Sequence, residues 1–166
     1  MESHPHAIVA RVNFFGWSLS GERSLAEFFF NRLSAGQTVP GHADRYFTPM
    51  LVTDVSQLLL SMLAAQLSGL YHVGGAERLS KYEFGLRLAR RFALDESLIS
   101  PISWQDQGLE VPRSPDLSLN SGKLAKALGR KLPDVTAGLD GLYQQYQAGY
   151  PQQLRAMQTQ SQAAAA

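Results

Sequence analysis

No cysteine occurs among the 166 residues. Disulfides and thiolate metal sites are thereby excluded, and the compartment is left open with the cytoplasm as the default expectation. Long apolar runs are missing too: none reaches the roughly 20 residues that cross a bilayer. The opening MESHPH has neither the basic start nor the apolar stretch of a signal peptide. Charge of one sign is scarce. Lys and Arg number 15 against 14 Asp and Glu, a formal net charge of +1, and the basic residues are scattered rather than gathered in the stripe a nucleic-acid interface needs. The histidines His4, His6, His42 and His72 form no H-x-x-x-H and sit in no carboxylate cluster, so no metal is expected. The glycines, 14 in all, contain no G-x-G-x-x-G; Gly74 and Gly75 form only a pair. These absences lead to the expectation of a soluble intracellular domain with no membrane and no nucleic-acid partner.

What remains is a chain that is 45% hydrophobic, enough for one domain with a real core. Ala7 to Phe15 is nearly continuously apolar, β-branched or aromatic, which predicts a strand covered on both faces and ending at Gly16. From Arg23 to Ala35, Leu25, Phe28, Phe29 and Leu33 recur at helical spacing, Ser24 with Glu27 matches a capping box, and Gly36 stops the helix. Thr53 and Asp54 can cap a second helix with Val55, Leu58, Leu59, Met62 and Leu63 inward, closed by Gly69. "LYHVGG" reads as a strand entering a glycine turn. Ser80 to Glu83 is a second capping box, with Phe84, Leu88 and Phe92 as the stripe of a third helix. Asp95 suits a one-turn helix before Pro101. "WQDQGLEVPRSPDLS", Trp104 to Ser118, reads as a long loop, followed by helices over Ser121–Leu128 and from Asp134 to about Tyr146. These elements are expected to form one body over residues 1–152; the low-complexity tail, 153–166, is expected to be unstructured. On the third helix, Glu83 and Arg87 are spaced for an i, i+4 ion pair, with Arg90 and Arg91 beside them.

A strand buried on both faces needs two neighbours. Only residues 70–74 and short pieces near Met50 and Ile102 offer any, so the sheet is incomplete and its missing neighbours are expected on a segment or chain not in this sequence; a small helix-shielded sheet is the alternative.

Four stretches carry a resemblance: "RVNFFGWSLSGERSLAEFFFNRLSAGQ", "RYFTPMLVTDVSQLLLSMLAAQLSGLYHVGG", "LSKYEFGLRLARRF" and "VPRSPDLSLNSGKLAKALGRKLPD". In order and spacing they resemble the C-terminal portion of the extended short-chain dehydrogenase/reductases that act on nucleotide sugars, nearest to the dTDP-4-dehydrorhamnose reductase and sugar-nucleotide-binding group. The similarity runs from about residue 7 to about residue 155. It implies an α/β fold, the C-terminal part of a Rossmann-like arrangement with few strands, about five helices and an incomplete sheet. Members of that family use NAD or NADP, held by a glycine-rich turn, and a Tyr with a Lys four residues later. Neither motif is here: Lys81, Lys123, Lys126 and Lys131 have no Tyr four positions before them. The first strand would then be the sixth of a longer sheet, and tight cofactor binding by this chain alone is not expected.

The resemblance implies a nucleotide diphosphate sugar as ligand and a Rossmann half, in cis or in trans, as partner, with a homo-oligomer possible. Arg11 interrupts an apolar strand; a buried cation there needs a carboxylate or carbonyl partner, or serves the cofactor or substrate end. Asn13 and Phe14 match the family position where the strand runs into the pocket. Relatives with rhamnose specificity carry Trp at the place of Phe14, which leaves the sugar open; its ring either stacks on a ligand or belongs to the core, and the same two readings hold for Trp17. Arg45, beside Tyr46, suits a diphosphate through its planar donors, or is a solvated loop residue. Arg113, on a proline-stiffened loop, matches the family's loop over the nucleotide sugar. A second class of function is also implied: one branch of the resembled family keeps the fold without the chemistry, as the regulatory subunit of methionine adenosyltransferase.

Overall fold

The computed structural model describes residues 4–105 and 114–163. Its strands form four separate two-stranded pieces rather than one sheet. β1 (Ile8–Val12) pairs in parallel with β6 (Gly69–Val73), β2 (Phe14–Phe15) in parallel with β5 (Met50–Leu51), and β3 (Val39–His42) in parallel with β8 (Ile99–Ile102). β4 (Tyr46–Phe47) and β7 (Leu79–Ser80) are antiparallel. Among the described residues six α-helices accompany them: α1 (Leu25–Ser34), α2 (Val52–Ala64), α3 (Lys81–Arg91), α4 (Gly122–Leu128), α5 (Val135–Gln147) and α6 (Tyr150–Ala163). Asp95 caps a single 3-10 turn, Glu96–Leu98.

Both capping boxes form. Ser24 accepts from the Glu27 amide while Glu27 accepts from the Ser24 amide, and Ser80 with Glu83 repeats the exchange. Asp134 caps α5, and Gly129, at φ 63, ends α4 in the left-handed conformation that suits glycine. The core has two parts. The larger joins α1, α3 and α5 through aromatic edges: Phe84 meets Phe15 at 5.0 Å and Phe47 at 5.6 Å between ring centroids. The smaller packs Val55, Leu58 and Met62 of α2 and Leu124 of α4 onto Tyr71 and Val73 of β6.

Several expectations need correction. β1 is not covered on both faces. In the parallel register Ile8 and Ala10 lie with Tyr71 toward the smaller core, whereas Val9, Arg11 and Val12 are exposed, and Leu70, opposite Val9, is exposed too. Purely parallel sheets are normally covered on both sides; here one face, and the edge of β1 away from β6, have no cover among the described residues. The second helix starts earlier than its expected cap. Pro49 holds the approach extended, β5 runs straight into Val52, and Val52 lies so close to Gly16 that a Cβ there would be 2.6 Å from its Cγ1. Thr53 instead accepts from the Gln145 side chain, 3.3 Å. Burial raises the carboxyl pKa of Asp54.

The expected Glu83–Arg87 pair gives way to Arg87–Glu77, a two-pronged contact of 2.6 and 2.7 Å, because the Glu83 carboxylate is turned back onto its own cap. Arg90 and Arg91 pair with Glu96 and Asp140. The tail beyond residue 152 is helical through Ala163 rather than unstructured. Gly149, at φ 73, reverses the chain after α5, and Pro151 sits in the first turn, where its missing N–H costs nothing. Gln, Met, Arg and Ala are good helix formers, and Leu154 packs on the larger core. Among the described residues no helix is long and apolar enough to cross a membrane.

Candidate functional site

β1 and β6 run the same way, so their carboxyl ends, Val12 and Val73, release the chain on one side. In open α/β sheets this is where ligands are held. Beyond β6 the chain turns through Gly74 and Gly75 under the 48–49 segment. A Cβ on Gly74 would lie 2.4 Å from Thr48 Oγ1, and one on Gly75 2.3 Å from the Pro49 carbonyl oxygen. The glycine pair therefore serves close packing. Its space is filled by protein, leaving no cradle there for a dinucleotide pyrophosphate.

The segment 114–122 is sewn to this turn. The Leu119 amide donates to Thr48 Oγ1 (3.1 Å), the Gly74 amide to Ser121 Oγ (2.9 Å), and the Gly75 amide to the Thr48 carbonyl (3.0 Å). Between these loops and the start of α5 lies a cleft of about 680 Å³ whose polar wall includes Arg78, Asn120, Ser121 and Lys131. Its size suits a small-molecule ligand. Arg78 lies over the Tyr46 ring at 3.7 Å and donates from Nε and Nη2 to Asp116 Oδ2 (3.0 and 2.8 Å). Asp116 also accepts from the Ser118 amide and hydroxyl, and these bonds, with Arg78, bring its carboxyl pKa down to about 2.

Three of the residues singled out from the sequence meet on this segment. Asn13 Nδ2 donates to the Leu117 carbonyl at 2.8 Å. Tyr46 exchanges backbone hydrogen bonds with it, from its amide to Pro115 (3.0 Å) and from the Leu117 amide to its carbonyl (2.9 Å). Arg45 is buried, donates to the Ser114 carbonyl, and lies 4.2 Å from the Trp104 ring centroid. It is neither a solvated loop residue nor aimed at open solvent; it clamps the segment.

A second cleft, of about 410 Å³, opens beside Phe14, Ser18, Arg23 and Val52. Phe14 is 57% exposed there, available to a ligand rather than committed to the core. Trp17 borders this cleft, but its indole is a core group: Nε1 donates to the Leu142 carbonyl (3.2 Å) and the ring meets Phe30 and Phe92 edge-on. Its one hydrogen-bond donor is thus committed to the protein and the indole is largely buried. Arg11 is exposed on the uncovered side of β1 opposite His72, so the premise of a buried cation fails. Arg113 lies outside the described residues. Sequence reasoning missed Arg78 and Lys131. The signal available for Arg78 was its place in "GGAER", directly after the strand.

The match that decides the family covers residues 1–148, against the model of the RmlD substrate-binding domain. The chain belongs to that family. Among curated relatives, a probable low-salt glycan biosynthesis reductase of Haloferax volcanii is 25% identical over 150 residues, which are 86% of this chain and 50% of the relative. Among solved structures, the NADP complex of dTDP-4-dehydrorhamnose reductase from Bacillus anthracis superposes with a TM-score of 0.72 at 17% identity, covering 82% of this chain and 47% of the other. A dTDP-glucose 4,6-dehydratase from Streptomyces venezuelae, solved with NAD bound, gives 0.65 at 22%, covering 89% and 46%. The RmlD-family chain thus has the Rossmann-like fold of these reductases and dehydratases, and spans about half the length of the relatives it matches.

Proposed function

We infer that this RmlD-family chain is the substrate-side lobe of a nucleotide-sugar reductase or epimerase, holding a nucleotide diphosphate sugar, while a glycine-rich dinucleotide-binding half carries the cofactor and the Tyr-Lys pair. The observation that carries the reading is the uncovered parallel pair: Val9, Val12 and Leu70 expose apolar surface on a sheet type that is normally buried on both faces. The carboxyl ends of that same pair lead to the cleft with Arg78 and Lys131.

On this reading the two cations face the diphosphate, Arg78 as a charge held in place by Asp116 and Lys131 as a point charge. Asn13, Arg45 and Tyr46 act by fixing the Ser114–Leu119 segment that walls the cleft, and Phe14 offers a ring to the sugar in the neighbouring cleft. Arg113, outside the described residues, is added on the family resemblance alone. The chain supplies binding and orientation; the hydride donor and the acid that protonates the developing alkoxide come from the other half.

Calorimetry of the whole chain with a dTDP- or UDP-sugar tests this. Saturable binding that weakens at least tenfold in both Arg78→Ala and Lys131→Ala is expected. Heats that are non-saturable, or unchanged in both variants, would turn attention to the non-catalytic, partner-binding branch of the resemblance.

A further inference from the structure

α6 lies beyond residues 1–148, the part that matches the family, yet it is docked rather than trailing. Pro151 is buried and Leu154 packs against the larger core. One turn of the helix places Arg155 against the loop between β2 and α1. Gly21, in that loop, is buried at φ 75, and a Cβ on it would lie 2.6 Å from Arg155 Nη2, 2.8 Å from Nε and 3.0 Å from Cζ. Three atoms of one guanidinium at nearly equal distance mean that the group covers the glycine α-carbon, the approach that a flat, weakly hydrated cation makes best.

The same loop is tied from its inner side by α1. The buried carboxylate of Glu27 accepts from the Ser18 amide (2.6 Å) and hydroxyl (2.7 Å), and Asn31 Nδ2 donates to the Gly21 carbonyl (2.8 Å). Ser18 Oγ in turn accepts from the Gly21 amide at 3.2 Å. Ser18, Arg23 and Ser24 form one wall of the cleft that exposes Phe14.

We propose that α6 is a strap over the Ser18–Arg23 loop, with Arg155 as a positioning residue that presses the loop onto α1 and so fixes the wall of the Phe14 cleft. Because three inner hydrogen bonds remain when the strap is removed, its loss frees the loop without unfolding the domain. Its consequence for ligand binding rests on the reading that this cleft takes the sugar of a nucleotide sugar; its effect on the loop does not.

Backbone amide exchange on the whole, ligand-free chain therefore tests it apart from that reading. In Arg155→Ala the amides of Ser20 to Arg23 are expected to exchange about tenfold faster, with α3 and the β1–β6 pair unchanged. Arg155→Lys, which keeps the charge but not the flat guanidinium, should give the same local pattern, and guards against a merely altered helix surface in the alanine variant. Unchanged exchange in the loop, or an equal acceleration throughout the chain, would overturn the proposal. If nucleotide sugar binding is absent from the wild type while the loop is freed as described, the strap stands and the ligand reading fails.

Discussion

Glu27 and Glu83 occupy the same place in two identical sequence devices, Ser-x-x-Glu at a helix start, yet removing them should cost very different amounts. Glu27 is 1% exposed and accepts three hydrogen bonds, from the Ser18 amide and hydroxyl and from the Ser24 amide, 2.6 to 3.0 Å long. Truncation in Glu27→Ala strands two backbone N–H groups away from water. Taking about 1.5–2 kcal/mol for each unsatisfied donor, the middle of the usual range of about 1–3, the loss is about 3–4 kcal/mol. The Glu83 carboxylate is itself exposed and accepts from the Ser80 amide, 2.7 Å, with no second loop tied to it, so Glu83→Ala should cost about 1 kcal/mol, the usual worth of a cap. Urea unfolding followed by far-UV circular dichroism reads both. With a slope of about 2 kcal/mol/M, the midpoint should fall by about 1.5–2 M in the first variant and about 0.5 M in the second. Equal shifts would refute the reasoning that burial, not the motif, sets the cost.

Other expectations follow from the same geometry. Asp116 should titrate near 2 by carboxyl NMR; its contribution to stability is full above the ordinary value of 3.8 and is lost as pH falls from there through about 2, whereas titration at 3.8 would mean that the Arg78 and Ser118 contacts are absent in solution. His42, held low mainly by burial and then by Lys81, should stay neutral below pH 6.5, so stability falls as pH drops below 6.5, where the unfolded chain takes up a proton first; an imidazole NMR titration at 6.5 would contradict this. Gly75→Ala, which drives a Cβ to 2.3 Å from the Pro49 carbonyl, should lower stability by about 2–3 kcal/mol, and a neutral effect in thermal unfolding would show that the turn yields.

The local devices were legible because they are written in consecutive residues: both capping boxes, the Asp95 cap and the "LYHVGG" strand stand where the pattern puts them. What depends on distant partners was not. The α2 cap shifted because Val52 and Gly16, far apart in sequence, pack together. Arg87 prefers Glu77 because the cap has already claimed Glu83. Apolar composition alone could not tell that Val9 and Leu70 lie exposed, and low complexity hid the helical propensity of α6. At the candidate site, Asn13, Arg45 and Tyr46 stand out in the sequence and bond to the segment that walls the cleft, contacts that only the fold reveals, while Arg78 lines it.

We propose that the cleft beyond β1 and β6 receives a nucleotide diphosphate sugar. Backbone amide NMR of the labelled chain titrated with a dTDP-sugar tests it most directly. The account predicts saturable shifts confined to residues around Gly75–Arg78, Ser118–Ser121 and Lys131, with Phe14 and Ser18 joining when the sugar is present and not with the nucleoside diphosphate alone. Shifts spread evenly over the surface, or none at these residues at saturating ligand, would contradict it.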